Sequence, residues 1–388
     1  MSVKQGRRYT LAMTRRVLAL LLAVPLAAAP APAPAVAQTT DFARLAARLS
    51  EDAGFFDSDN LVSNETSYLH VLGGLRALGV RGGAYIGVGP EQSFSYIAEL
   101  RPEIAYIIDI RRDNMLLHLL FKAMFEAADS RLEYLCLLFG RPAPRDLGAW
   151  SHRNLELLLN YLEATPADSA LHDRQHEEMM RRVAQFGVPL TPVDRTTLRR
   201  FHDEFATQGL ALTFTSRGRM NRRNYPTVRE LYLQTTDEGD TAGYLATDER
   251  WRVVRALQRR HRIVPVVGDL AGPRAVQAIA AHLRETRRTV SVLYVSNVEM
   301  YLFQNGVFPA FVANVRSLPA GPSSVLVRSW FGRGAMLPSS VPGHLSTQLL
   351  QTVPRFLELT ARPDSVYYWT LVSDTGDVRI AVPAAARP

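Results

Sequence analysis

Cysteine is almost absent from this chain. Cys136 is the only one, so no internal disulfide can form and no thiol stands at a processing site to carry a lipid. It sits in the apolar run 134–139, where a thiol packs as a small hydrophobe instead of serving as a nucleophile. A strong charge is also missing. The whole chain carries +8, but its first 37 residues hold five basic side chains (Lys4, Arg7, Arg8, Arg15, Arg16) and no acidic one. Without them the charge falls to +3, spread over roughly 350 residues. That is too mild for a nucleic-acid footprint. G-x-S-x-G and H-E-x-x-H do not occur, which removes the commonest hydrolase and zinc-protease signatures. The apolar run 17–29 is too short for a comfortable membrane span.

What is present begins with an export segment. A basic stretch, the apolar run 17–29 and the small-x-small sequence Ala35-Val36-Ala37 before Gln38 read as a cleaved signal peptide, residues 1–37. Translation from Met13 gives a shorter version of the same signal, and Thr14-Arg15-Arg16-Val17-Leu18 hints at twin-arginine export. The expected location is periplasmic or secreted, with no membrane span after cleavage. At 47% hydrophobic residues, the mature chain fits one large α/β domain or two smaller ones.

The stretch 82–114, GGAYIGVGPEQSFSYIAELRPEIAYIIDIRRDN, organises the rest. It divides into a strand at 84–88, a glycine turn opening a helix at 89–100, and a second strand at 104–110. Gly87 and Gly89 remove the Cβ and let backbone amides approach a ligand. Pro90 suits a first helical position, where its missing N–H costs nothing. The helix then directs its positive end over the turn, with Glu91 beside it. Asp109 follows Gly89 by 20 residues, the distance at which an acid accepts hydrogen bonds from a ribose diol in nucleotide-binding βαβ units. The third glycine of the dinucleotide fingerprint is missing. An ordinary tight turn with a capping aspartate is the plain alternative.

Around this unit, residues 38–82 read as N-terminal helices. One covers 42–49, followed by an acidic connector at 51–60. Another is capped by Ser63 or Asn64, runs to Leu78 and stops at Gly79. Its start can bring Ser63, Asn64 and Glu65 to a ligand. Residues 83–388 read as a Rossmann-like domain interrupted by a helical insertion at 112–250, with helices at 115–128, 131–139, 155–164, 174–185 and 196–208. The His172-x-x-x-His176 pair reads as a solvated charged face without a third metal ligand. The loop 216–226 carries Arg217, Arg219, Arg222 and Arg223, forks suited to an anionic substrate. The acidic run 237–240 reads as a surface flap. Strands at 262–267, 289–295 and 324–328 follow, with helices at 247–259, 274–286, 311–317 and 348–357 and a closing hairpin of 365–371 with 378–382. The alternation predicts an α/β, doubly wound, mostly parallel sheet. Gly87, Gly89, Asp109, Asp269, Ser296 and Asn297 all fall at carboxyl ends of strands, where such sheets bind ligands.

This pattern resembles the class I S-adenosylmethionine-dependent methyltransferase fold. The resemblance covers about 83–110 and 262–371. It implies that Gly87 and Gly89 hold the methionine end of S-adenosylmethionine, with Glu91 nearby. Asp109 would bind the ribose, Asp269 the adenine edge, and Asn297 with Ser296 would lie near the transferred methyl. Glu299, Glu91 and Tyr294 are base candidates by proximity. The implied acceptor is a small or anionic molecule, and no metal is called for. YIGVGPEQSFSYIA, IIDIRRDN, VPVVGDLAGP and YVSNVEMYLF are also similar to a group of exported bacterial proteins with no assigned activity. The export signal opposes a catalytic reading, because the methyl donor is made in the cytoplasm. The alternative is therefore an exported, non-catalytic ligand- or partner-binding protein on a degenerate methyltransferase fold. A dehydrogenase uses the same βαβ unit and ranks lower on the glycine pattern. Fractionation of expressing cells should find a chain starting near Gln38 outside the cytosol. Full-length chain in the cytosol would refute the export reading.

Overall fold

Six strands form one sheet in the computed structural model, which describes residues 40–216, 225–332 and 337–374. The chain divides into two units, Met1–Val36 and Ala37–Pro388, and the sheet with its helices belongs to the second. The expected signal peptide and the strand expected at 378–382 lie outside the described residues, as do Arg217, Arg219, Arg222 and Arg223.

Helix α1 (Asp41–Leu49) is capped by Thr40, whose hydroxyl accepts from the Ala43 amide at 3.1 Å, and buries Phe42, Ala43, Ala46 and Leu49. The helix expected from Ser63 is shorter than its apolar spacing suggests: α2 spans Leu72–Ala77 only. Ser63 accepts from the Glu65 amide at 3.1 Å instead, holding a turn. Then come β1 (Ala84–Gly87), α3 (Gln92–Leu100) and β2 (Ile104–Asp109). The strands read as continuous apolar runs because helices cover the sheet.

The long excursion after β2 is helical. It comprises α4 (Arg112–Ala127), α5 (Arg131–Leu138), α6 (Leu155–Ala164), α7 (Ser169–Gln185), α8 (Pro192–Gln208), α9 (Val228–Tyr232) and α10 (Asp248–Arg259). Helix α8 starts sharply because Thr191 and Asp194 form a capping box and Pro192 occupies its first turn. Helix α4 is the pillar of this part: it packs on the sheet and on α5, α7, α8 and α10. The chain returns through β3 (Ile263–Val267), α11 (Ala275–Glu285), β4 (Val290–Ser296), α12 (Val298–Gln304), α13 (Phe308–Ser317) and β5 (Ala320–Trp330).

Two expectations near the end fail. Residues 348–357 are not one helix but strand β6 (Thr347–Thr352) followed by α14 (Val353–Leu359). Pro354 lies in the first turn of α14 with Thr352 as its cap, so the helix starts there and the preceding residues extend into the sheet. Residues 365–371 form no strand; a short turn of helix leads into α15 (Tyr368–Ser373).

The strand order is β3-β2-β1-β4-β5-β6, parallel except for β6, which runs antiparallel to β5. The order reverses between β1 and β4. No described helix is long and apolar enough to cross a membrane.

The imidazoles of α7 are not solvated. His172 and His176 are buried against α8, with His176 Nδ1 3.2 Å from His202 Nδ1 and His172 Nε2 2.8 Å from Asp203. The apolar face of α7 is too sparse to pack alone, so its histidines take core positions against α8, His176 meeting His202 and His172 meeting Asp203. Burial lowers His176 to about 4 and His202 to about 3, with the charges of neighbouring Arg199 and His172 acting the same way. Both values lie below that of an unfolded histidine, so between about pH 6.5 and 4 the unfolded chain binds more protons. Stability is complete above about pH 6.5 and falls as the pH drops toward 4. From these two groups urea unfolding should show a loss on the order of 4 kcal/mol between pH 7 and 5, and His202→Gln should roughly halve that dependence.

Candidate functional site

Asp109 and Asp269 share one rim. Adjacent parallel strands β2 and β3 end together, and the Gly268 amide donates to the Asp109 carbonyl at 2.8 Å. Gly87, Gly89, Ser296 and Asn297 close β1 and β4 on the same side, at the reversal of strand order. The sheet thus brings the expected binding positions to one edge. Their side chains are another matter.

Asp109 accepts from Arg111 three times: from its amide at 2.9 Å, Nε at 3.0 Å and Nη2 at 2.8 Å. The same guanidinium donates through Nη1 to the carbonyls of Ser58 and Asp59, each at 2.7 Å. The two side chains are only 8% and 11% exposed. Asp269 Oδ1 accepts from the Ala271 amide at 2.8 Å, folding the loop after β3 on itself. Into that loop comes the carboxylate of Glu51, which accepts from the amides of Asp269 at 2.8 Å, Arg274 at 2.9 Å and Ala275 at 3.0 Å. Gly87 owes its lack of a Cβ to internal packing: a methyl there would collide with the Tyr85 hydroxyphenyl group. Gly89 is the true backbone special, at φ +83°.

Two proposed roles change. Glu299, a base candidate in the first turn of α12, is not free. It faces Arg328 at 2.6 Å, both side chains being about 1% exposed, while Arg328 Nη2 also donates to Gln351 at 2.9 Å. Helix α12 turns this carboxylate back toward β5. Glu91, a cofactor-binding candidate, is interior. It accepts from the hydroxyls of Tyr232 at 3.1 Å and Tyr244 at 3.3 Å, and burial pushes its carboxyl up to about 7. The two tyrosines beside the expected surface flap are therefore buried anchors; the flap itself is tied by a Thr235–Thr241 bridge.

Ser296 has φ +52°, an uncommon conformation for a residue with a side chain. Its hydroxyl bonds Glu65, which also accepts from Tyr294 at 2.6 Å and Gln348 at 2.9 Å. Burial raises the Glu65 carboxyl above its usual range, against the pull of these hydrogen bonds.

The sequence reading passed over three buried polar residues, Gln92 and His118 at Gly89 and Asn114 one turn before His118 on α4. His118 Nε2 lies 3.0 Å from the Gly89 carbonyl, which makes it the protonated nitrogen. Burial holds the ring neutral, at about 4, and leaves Nδ1 as an acceptor with no partner. Gln92 donates to Tyr294 at 3.3 Å, but its Oε1 has no partner; neither polar atom of Asn114 has one. All three residues are less than 7% exposed. Their signal was visible in sequence: Asn114, His118 and Lys122 are polar residues spaced by four in an otherwise apolar run.

Among the described residues, no group of three or more His, Cys, Asp or Glu is placed to hold a metal ion. Two cavities, of about 50 and 210 Å³, lie in the helical excursion, and no rim residue lines either. Arg328→Ala should destabilise the fold by about 3–5 kcal/mol in urea, since it strands a buried carboxylate. The apolar pair Glu299→Leu/Arg328→Met should recover much of that loss.

No curated protein matches the chain. One family model matches residues 61–141 and 202–374. The match holds all six strands and skips α1, the connector after it, α6, α7 and most of α8. On that match, the chain belongs to the family described as domain of unknown function DUF7790.

Proposed function

We propose that this chain is a methyltransferase-like protein that binds S-adenosylmethionine, or a nucleoside ligand of that class, at the carboxyl rim of its sheet. Methyl transfer to a small or anionic acceptor is the activity this implies. The observation that carries the reading is the pair of unpartnered polar atoms at the Gly89 turn, Gln92 Oε1 and His118 Nδ1, with the unpartnered amide of Asn114 one helical turn before His118 on α4. A buried polar atom without a partner costs about 1–3 kcal/mol, and a ligand lying over the turn would supply the missing bonds. The strand order supports it too, since ligands of such sheets lie at the reversal point.

In this reading Gly89, Gln92, Asn114 and His118 hold the methionine end, Asp109 the ribose and Asp269 the adenine edge. Ser296 and Asn297 lie beside the reacting group. The cofactor supplies an electrophilic methyl. The protein's part is orientation and exclusion of water, because Glu299 is committed to Arg328.

A second reading rests on Arg111. It holds both oxygens of Asp109, so a ribose must displace a buried ion pair. That favours an exported, non-catalytic protein that binds a ligand or partner on a degenerate methyltransferase-like sheet, and it fits the export segment. Calorimetry of the mature chain with S-adenosylhomocysteine separates the two. Micromolar binding, weakened at least roughly tenfold (about 1.4 kcal/mol) in both Asp109→Ala and Asp109→Asn, supports the first. Silence from a folded protein supports the second.

A further inference from the structure

The connector 51–60 has no regular secondary structure, yet it is laid along the whole carboxyl rim. At its start the Glu51 amide donates to Val267, the last residue of β3, at 2.9 Å. The Glu51 carboxylate fills the turn into α11. Next, the Gly54 amide donates to the Ile110 carbonyl just past β2 at 2.8 Å. Gly54 lies so close that a Cβ would strike the Ile110 side chain. Phe56 then packs edge-on against Tyr301 of α12, centroids 5.3 Å apart. Ser58 and Asp59 give their carbonyls to Arg111, and Asp59 pairs with Arg200 of α8 at 2.7 Å. Last, Asn60 places its amide nitrogen 3.8 Å from where a Gly89 Cβ would stand. In ten residues the segment touches the ends of β3 and β2, the helix after β4 and the glycine turn after β1.

Two features separate this segment from the domain it covers. The family match begins at residue 61 and leaves out 142–201, which holds Arg200. The connector and Arg200 thus lie outside the matched residues. Its hold is also largely polar. Phe55 is 78% exposed, and Phe56 makes the aromatic contact with Tyr301. A segment held by hydrogen bonds and an ion pair with little apolar burial opens at a small fraction of the global unfolding free energy.

We propose that residues 51–60 are a strap that competes with the ligand for the rim, so that strap release and ligand binding are coupled. This rests on the proposed ligand reading. Glu51 occupies the backbone amides beside Asp269, and the Ser58 and Asp59 carbonyls hold Arg111 against Asp109. With the strap lifted, Arg111 loses two acceptors and the β3–α11 amides are free. By reciprocity, whatever weakens the strap strengthens the ligand by the same factor.

The test uses the mature chain, its Glu51→Gln and Arg200→Gln variants, and S-adenosylhomocysteine as the probe. Calorimetry should show the variants binding about tenfold tighter, as the competent fraction rises. Hydrogen exchange should show the Gly54 amide exchanging far faster than that of Ala105 inside the sheet, and faster still when the probe is added. Equal affinity in all three proteins overturns the strap. So does probe-induced slowing at Gly54, which would mean closure over the ligand. Silence from every protein overturns the nucleoside reading instead. The comparison of Gly54 with Ala105 then decides the strap alone: equal exchange rates sink it and fast exchange at Gly54 supports it.

Discussion

The guanidinium of Arg111 ties the end of β2 to the connector before the sheet. One face of the fork holds the Asp109 carboxylate and the other holds two carbonyls of the connector. A planar group with five fixed donors can do this; a lysine presents a point charge and cannot span both. The consequence reaches beyond the pair. A parallel sheet leaves its strand ends open at the carboxyl rim, where backbone groups need partners. Here Glu51 supplies the acceptor for amides after β3, and Arg111 holds the Asp109 carboxylate after β2. Beside Gly89, the side-chain atoms Gln92 Oε1 and His118 Nδ1 have no partner.

The interior beneath that turn follows a different rule. Glu65 and Glu91 are buried carboxylates held by hydroxyls and an amide: Tyr294, Ser296 and Gln348 for one, Tyr232 and Tyr244 for the other. With no cation opposite, desolvation prevails and both carboxyls are raised. Glu299, by contrast, faces an arginine and takes a second polar layer through Gln351. The three acids surround the reversal of strand order, and they fasten α2's leading turn, the flap and β6 to it. This polar framework fixes the geometry of the rim without being part of it.

Much of the fold was legible because its strands are short, apolar and bounded by glycine, proline or a cap. The βαβ unit, the helices of the excursion and the strands through β5 could be read that way. The failures have local causes. Residues 348–357 carry leucines at a spacing that serves either helix or strand, and Pro354 decides between them. Residues 365–371 carry tyrosines and a tryptophan, which favour strands in general, but here they wind as a helix. The sequence marked which candidate residues end strands on one edge of the sheet, and not the state of their side chains. Asp109 looked available because its competitor, Arg111, belongs to the next element. Glu51 is 218 residues from the turn it fills, a distance no local pattern reports. The histidines of α7 were misplaced for a similar reason: their partner, His202, lies on another helix.

The parts outside the family match are not scattered decorations. Thr40 donates its hydroxyl to the Phe186 carbonyl beyond α7, and Phe42 meets the Phe186 ring edge-on at 6.1 Å. Between these rings lies Lys122 of α4, its ammonium 5.2 and 4.9 Å from their centroids. Burial lowers its pKa, while Glu126 at 2.7 Å acts to keep it charged. Arg112 at the head of α4 bonds Asp194 and the Pro189 carbonyl, and Arg200 completes the series with Asp59. Helix α1, its connector, the end of α7 and helix α8 therefore meet around α4, which carries His118 to the Gly89 carbonyl. A change in that grip acts on both ends of the rim, on the segment that covers it and on the helix that lines it. In the proposed reading the sheet offers the place for a ligand, and the segments outside the family match would govern how readily that place opens.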